Sequence, residues 1–470
     1  MVFWQSGVVM DGLWLGLLLL VAAGLTRAIP ALRALALPPP LLAGLLGLAL
    51  GPSALALIPF NPETFEAIVY HGLAIIFIAV SLQPARPGTA RPAFGHGPRS
   101  MAFAIPFMAV TQGFVGMTIV VGMHLLDLQS LHPGFGLMLP LAFGQGPGQA
   151  LSLGAAWEQT GMTDGGQIGL IMAALGFIWC AVTGVPLAAI GRRRGWITPP
   201  PETQDPLLAD EDGASVDTAA LHVAAVGGVY LLTYAVLTTL VGLVASKPQF
   251  AAMLWGFHFL IAMAIGLSTR AVVGRFTPGL LRRGELGRIA TVTVSFSTCA
   301  AIAAVQLSVL RGVWVPILLI TSVGGGVTLL SAIWLAKRVF PEEPFEHGLV
   351  MFGAATGTLH TGLALLQTLD PELRGSAPNS AVVGSGGAFI LAAPLLLFVV
   401  PFTVAGWPDA FVGRSTAAIG VLVVYLALLL AGWRMLGALR PFQPTALWPD
   451  ARHPLAPEDG EGAEEAASAR

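Results

Sequence analysis

The stretch "LAFGQGPGQALSLGAAWEQ", residues 141–159, lies in a run apolar enough to enter a membrane, yet it carries four glycines and a proline in nineteen positions. Gly144, Gly146, Pro147 and Gly148 prevent a continuous helix there. Backbone that leaves helical geometry at membrane depth is tolerated only where protein or a water-filled cavity satisfies its N–H and C=O groups. A break of this kind therefore makes a site. Gln145, Gln149 and Ser152 supply amide and hydroxyl groups that can bind a polar solute without bringing charge into the bilayer.

The setting follows from composition. Of 470 residues, 55% are hydrophobic and 10% charged, and the mean hydropathy is +0.78. Soluble domains carry about 25% charged residues. The chain reads as an all-α polytopic membrane protein. A net charge of −2 gives no basic surface for nucleic acid. Cys180 and Cys299 both fall in apolar runs, so no disulfide framework is expected. The first apolar run, 8–28, is long enough to span and has no basic region before it, so it is expected as a membrane helix rather than a cleavable leader.

Crossing a hydrocarbon core of about 30 Å takes about twenty helical residues. Runs of that kind fall at 8–28, 38–58, 66–84, 101–126 and 166–190, and then at 221–244, 250–269, 289–310, 314–336, 379–404 and 415–437. Two glycine-broken segments remain, 134–157 and 347–369. Short cytoplasmic loops accumulate Lys and Arg, which decides whether those segments cross. If both are re-entrant, the inside loops hold Arg27 and Arg33; Arg86, Arg91 and Arg99; Arg192, Arg193 and Arg194; Arg270, Arg275, Arg282, Arg283 and Arg288; Lys337 and Arg338; Arg374; and Arg434, Arg440, Arg452 and Arg470. Outside stand only Lys247, Arg311 and Arg414. A crossing first segment would put the triple arginine on the wrong side.

The expected layout is then about eleven transmembrane helices plus two re-entrant glycine-rich hairpins, with the N-terminus outside and the C-terminus cytoplasmic. Each half reads as four spans, one broken segment and one span, in opposite orientations. Residues 1–190 form a first inverted repeat, 191–220 a proline-rich acidic linker, 221–404 the second repeat, 405–437 an additional helix and 438–470 an acidic tail expected to be disordered. Paired glycine-interrupted segments at corresponding positions of two inverted halves point to a transport site.

The second broken segment, "MFGAATGTLHTGLALLQTLDP", places Thr356, Thr358, His360 and Thr361 among Gly353, Gly357 and Gly362. Hydroxyls and freed carbonyls are hard oxygen ligands suited to Na⁺, and the N-terminus of a half-helix suits a carboxylate. Small residues spaced by three commonly just let helices approach. Their recurrence at matching places in both halves favours a site. Glu158 and Asp370 stand at the ends of the broken segments, where capping explains them equally well. His360 is either a hydrogen-bonded structural histidine or a coupling residue. Asp11 and Glu66 lie near span ends rather than as a mid-membrane acidic pair, and no nucleophile elbow, metal-ligand cluster or phosphate-binding loop occurs, so an enzyme is not expected.

Several stretches resemble the sodium/glutamate symporter family of bacterial secondary transporters. They are "LALPPPLLAGLLGLALG" at the second span, "FGQGPGQALSLGAAWEQTGMTDGGQIGL" around the first break, and "ATGTLHTGLALLQTLDPE" with "NSAVVGSGGAFILAAPLLL" around the second. The resemblance covers roughly residues 8–404. It implies a homodimer in the bacterial inner membrane, in which a scaffold holds a mobile domain carrying both re-entrant loops. Na⁺ would drive uptake of glutamate or a related small carboxylate by elevator-type alternating access, with no cofactor beyond the coupling ion. By motif match the site takes Gly146, Gly148, Gln149 and Ser152 from the first loop, and Thr356, Gly357, Thr358 and Thr361 from the second. Of these, Thr356, Gly357 and Thr358 are assigned to Na⁺, and Gln145 and Thr361 join the substrate set. Where the family's first motif is "GGHGT"-like, this chain has "GQGPGQ" and no histidine. Carriage of another organic anion, H⁺ coupling through His360, and a non-transporting receptor or scaffold are the alternatives.

Overall fold

The computed structural model describes residues 7–30, 32, 37–84, 95–197, 216–370, 373 and 375–436. Most of the expected linker, the tail from 437 on, and Arg33, Arg86, Arg91, Arg374, Arg440, Arg452 and Arg470 lie outside them. Every regular element among the described residues is helical. In the first half these are α1 (Gly7–Ala28), α2 (Pro39–Leu50), α3 (Pro62–Leu82), α4 (His96–Leu125), α5 (Gly134–Gln145), α6 (Pro147–Glu158) and α7 (Gly165–Arg193). The second half holds α8 (Val216–Leu243), α9 (Pro248–Gly256), α10 (His258–Phe276), α11 (Arg283–Ala303), α12 (Trp314–Val339), α13 (Pro344–Thr356), α14 (Leu359–Leu366) and α15 (Ser376–Val404), and α16 (Phe411–Met435) follows.

Ten of these are long and apolar enough to cross a membrane. Their outward faces are apolar too: Leu20, Leu231, Ile390 and Phe398 are each at least 70% exposed. Leaving such a side chain in water costs about 1.5–3 kcal/mol relative to burying it. A belt of them is compatible only with lipid as solvent, and the chain is an all-helical polytopic membrane protein.

Two expected spans differ. The run 38–58 is helical only as α2, whose twelve residues rise about 18 Å. Gly51 and Pro52 end it, and the chain folds back so that the N–H groups of Leu57 and Ile58 donate to the Leu50 carbonyl at 2.8 and 2.9 Å. The run 250–269 is divided at Phe257 into α9 and α10. Gly256 allows this because it lies flat on α6, where a Cβ would come within 2.9 Å of Ala156.

The halves pack reciprocally. α3 runs along α11; α2 lies on α11 as α10 lies on α3; α1 covers α2 as α8 covers α10; and α15 crosses α4 while α7 meets α12. The two largest apolar clusters of the core are stacked along the helix axes. α4 gives Val110, Met117 and Val120 to one and Met101, Ala104 and Met108 to the other. α12 divides in the same way between Ile317 and Ile320 and, further on, Leu335 and Val339. A seam crosses the middle of both helices, and the two broken segments meet there. Both cysteines are buried and free.

Candidate functional site

α5 ends in a π-helical turn, Leu141–Gln145, and stops at Gly146, whose φ of +90° and ψ of 175° lie where side-chain-bearing residues are strained. Pro147 then starts α6 with its φ pre-set for a helix. The two arms fold back on each other. At their roots a Cβ on Gly134 would lie 2.8 Å from the Trp157 ring, and His132 Nε2 and Thr160 Oγ1 are 3.2 Å apart. Each arm is twelve residues, about 18 Å, too short to cross alone. α13 and α14 form the second hairpin, with Gly353 against Gly362, where a Cβ would come within 2.7 Å of the opposing Cα. Its tip is Gly357 and Thr358, and Thr358 has a φ of +141°. A non-glycine residue held there stores on the order of 1–3 kcal/mol of strain.

The tips touch. A Cβ added to Gly146 would lie 2.7 Å from the Thr358 methyl. Gly176 of α7 closes the junction on one side, where a Cβ would meet the Thr356 carbonyl at 2.5 Å and the Phe143 ring at 2.8 Å. The N-terminal ends of α6 and α14 and the C-terminal ends of α5 and α13 thus converge in one place. Helix N-termini present N–H groups and partial positive charge, and C-termini present carbonyls and partial negative charge. The junction can hold an anion and a cation together without a charged side chain.

Of the expected site residues, Gly146, Thr356, Gly357, Thr358 and Thr361 are brought together. Thr358 and Thr361 have their hydroxyls 3.3 Å apart, and the Thr356 hydroxyl donates to the Phe352 carbonyl at 2.8 Å. Thr361 also lines a cavity of about 10 Å³ with Phe177, Cys180 and Leu365, roughly the space of one water. Gln145 is half-buried at the end of the π turn, and Gln149, 4% exposed, has a buried Oε1 with no donor. Gly148 turns away to pack on Leu73 of α3. Ser152 is not brought to the junction: its hydroxyl donates to the Gly256 carbonyl at 2.9 Å and lies 3.4 Å from His258 Nδ1, so it ties the first hairpin to the α9–α10 break. His360 is exposed on the outside of α14.

No family model matches the sequence, and no curated protein does. Among solved structures the chain is similar to a sodium proton antiporter from Methanocaldococcus jannaschii, with 14% identity, 93% of this chain and 100% of that chain covered, and a TM-score of 0.30. The functional reading is therefore built on the junction.

Two polar groups at or near the hairpins were not read from the sequence. Gln112 of α4 is 2% exposed and donates to the Ala355 carbonyl at 2.8 Å and to Thr328 Oγ1 of α12 at 2.9 Å. An amide in the middle of an apolar span was the signal available, in "AVTQGFVG". Gln167 links α7 to α3 and to the chain after α11, donating to Glu66 and to the Ala304 carbonyl and accepting from Gln306 N. All of its groups are used within the protein, so this second cluster reads as bracing.

Proposed function

We propose that the chain is a secondary active transporter that carries glutamate or a related small carboxylate together with Na⁺, in the manner of the sodium/glutamate symporters it resembles. The observation that carries this reading is the contact of the two hairpin tips at Gly146 and Thr358. Two broken segments, one from each half, converge where freed N–H groups suit the carboxylate and freed carbonyls and threonine hydroxyls suit the ion. The reciprocal packing of α2 on α11 and α10 on α3 supports an inverted-topology repeat. Gln145, Gly146, Gln149 and Thr361 are assigned to the solute, and Thr356, Gly357 and Thr358 to Na⁺; Gly148, which packs on Leu73, drops out of the expected set. We further assign the protein to the bacterial inner membrane as a homodimer, with Arg192, Arg193 and Arg194 on the cytoplasmic side. Transport proceeds by alternating access.

The test is uptake of L-glutamate into vesicles containing the purified protein, with an imposed Na⁺ gradient, an imposed H⁺ gradient, or neither. Accumulation driven by the Na⁺ gradient alone is expected. Accumulation that ignores Na⁺ would remove the ion assignment, and no uptake across a panel of amino and dicarboxylic acids would remove the carboxylate.

A further inference from the structure

Gln112 belongs to neither hairpin. It sits on α4 two residues past Val110, just beyond the point between Met108 and Val110 where the helix passes from one apolar cluster to the other. The orientation of its amide is fixed by its partners. The Ala355 carbonyl can only accept, and the Thr328 hydroxyl has its own proton on the Gly324 carbonyl at 2.7 Å, so both must face the nitrogen. The remaining atom is therefore Oε1. It is buried, has no donor, and points toward the first hairpin, 4.0 Å from where a Cβ on Gly144 would stand.

A buried acceptor without a donor is costly; of the nine buried side-chain polar atoms without a hydrogen-bond partner among the described residues, Gln112 Oε1 is one that faces the first hairpin next to the junction. A partner for it must bring positive charge or a polar hydrogen. Gln149, on the other side of the Gly146 break, also has a buried amide end without a partner, and with no hydrogen bond to fix it that amide can turn either its oxygen or its nitrogen to the site. The Gln112 oxygen, neutral and with nothing to accept, suits a cation, and it carries no charge of its own that would be expensive to bury when the cation leaves.

We propose that Gln112 Oε1 is a ligand of a cationic group at the junction, supplied by α4 from outside both hairpins. The cation is either Na⁺ or the ammonium of an amino-acid solute, and the proposal rests on the junction being the binding site. Its nitrogen already holds the second hairpin through Ala355, so a cation on the oxygen joins the first hairpin to the second through one side chain.

Gln112→Met keeps the shape and removes the oxygen. In the purified full-length protein, thermal stabilisation is titrated with NaCl against a choline chloride background, and then with L-glutamate and with glutarate, which lacks the ammonium, at saturating NaCl. If the oxygen holds Na⁺, the half-saturating NaCl rises by about tenfold or more for both solutes. If it holds the ammonium, the NaCl value stays and the preference for L-glutamate over glutarate disappears. Either result supports the proposal. Wild-type values for both overturn it, as does the same loss in Thr328→Val, which disturbs only the nitrogen side, or a wild-type protein that responds to neither NaCl nor glutamate. Should Gln112→Met not fold, Gln112→Glu is read instead: added negative charge is expected to lower the half-saturating NaCl or sharpen the preference for L-glutamate, and a protein in which neither improves overturns the proposal. Thr358→Val runs in parallel. If it weakens binding while Gln112→Met does not, the junction stands and Gln112 falls; if neither does, both fall.

Discussion

The Thr358 methyl occupies the space that a side chain on Gly146 would need, with 2.7 Å between it and the missing Cβ. Residues 212 positions apart (358 − 146) thus share one packing site, and neither tip is free to vary without the other.

Gly146→Ala is therefore expected to cost on the order of 1–3 kcal/mol, because it combines a positive φ with a clash. Thr358→Ser, which removes the methyl, should recover part of that loss in the double variant but not the backbone strain. Melting temperatures of the four proteins check this, and additive losses would separate the two residues.

Thr358→Val keeps the shape and removes the oxygen. The half-saturating Na⁺ is expected to rise by about tenfold, with solute affinity unchanged at saturating Na⁺. Gln149→Ala should do the reverse. The comparison must be made with the partner saturating, because linked binding moves both constants otherwise. Unchanged Na⁺ dependence in Thr358→Val, Thr356→Val and Thr361→Val alike would place the ion elsewhere.

Ser152→Ala should lower stability by about 1 kcal/mol through loss of the bond to the Gly256 carbonyl. It should leave the affinity for L-glutamate within about twofold. A large loss of affinity with a normal melting temperature would return Ser152 to the site.

The hairpin shape fixes sidedness. Single cysteines at Asp127 and Glu158 should label from the same face of the membrane, and one at Arg192 from the opposite face, since α7 intervenes. Opposite labelling at Asp127 and Glu158 is incompatible with the contacts between Gly134 and Trp157 and between His132 and Thr160.

His132, at the root of the first hairpin, accepts the Gly134 N–H on Nδ1, and burial lowers its pKa from 6.5 to about 4. Above pH 6.5 the ring is neutral both folded and unfolded. Between 6.5 and about 4 only the unfolded chain takes up the proton, so stability falls as the pH drops through that window. The loss from this residue totals on the order of 3 kcal/mol. His132→Asn should show a shallower decline of melting temperature over the same range, and an identical decline would clear His132 of the effect.

Both breaks were legible in the sequence because glycines and proline cluster there: Gly144, Gly146, Pro147 and Gly148 fall within five residues and Gly353, Gly357 and Gly362 within ten, whereas α4 carries Pro106 and isolated glycines without stopping. What the polar residues beside the breaks do was less legible. Ser152 and Gln149 lie three positions apart on one short helix and look equivalent, yet one hydroxyl is taken by a carbonyl 104 residues away and the other amide oxygen has nothing. Gln112 was hidden for the same reason, since its meaning depends on Ala355, 243 residues along the chain. The shortness of α2 was written in Gly51 and Pro52 but masked by the apolar residues after them. The break at Phe257 has a single glycine beside it and follows from packing against α6, which no window of local sequence contains.

The stacking of the two largest apolar clusters also has an electrical side. Gln112 is residue seventeen (112 − 96 + 1) of the 30 in α4, close to mid-helix, and the seam beside it lies near the centre of the span. A cation reaching the junction from either face would have moved through about half of the membrane field, worth about 1.2 kcal/mol of the roughly 2.3 kcal/mol that one charge gains per 100 mV. Occupancy of the junction would then respond to membrane voltage by about sevenfold per 100 mV, with the bound cation's own charge as the sensor and no charged side chain required.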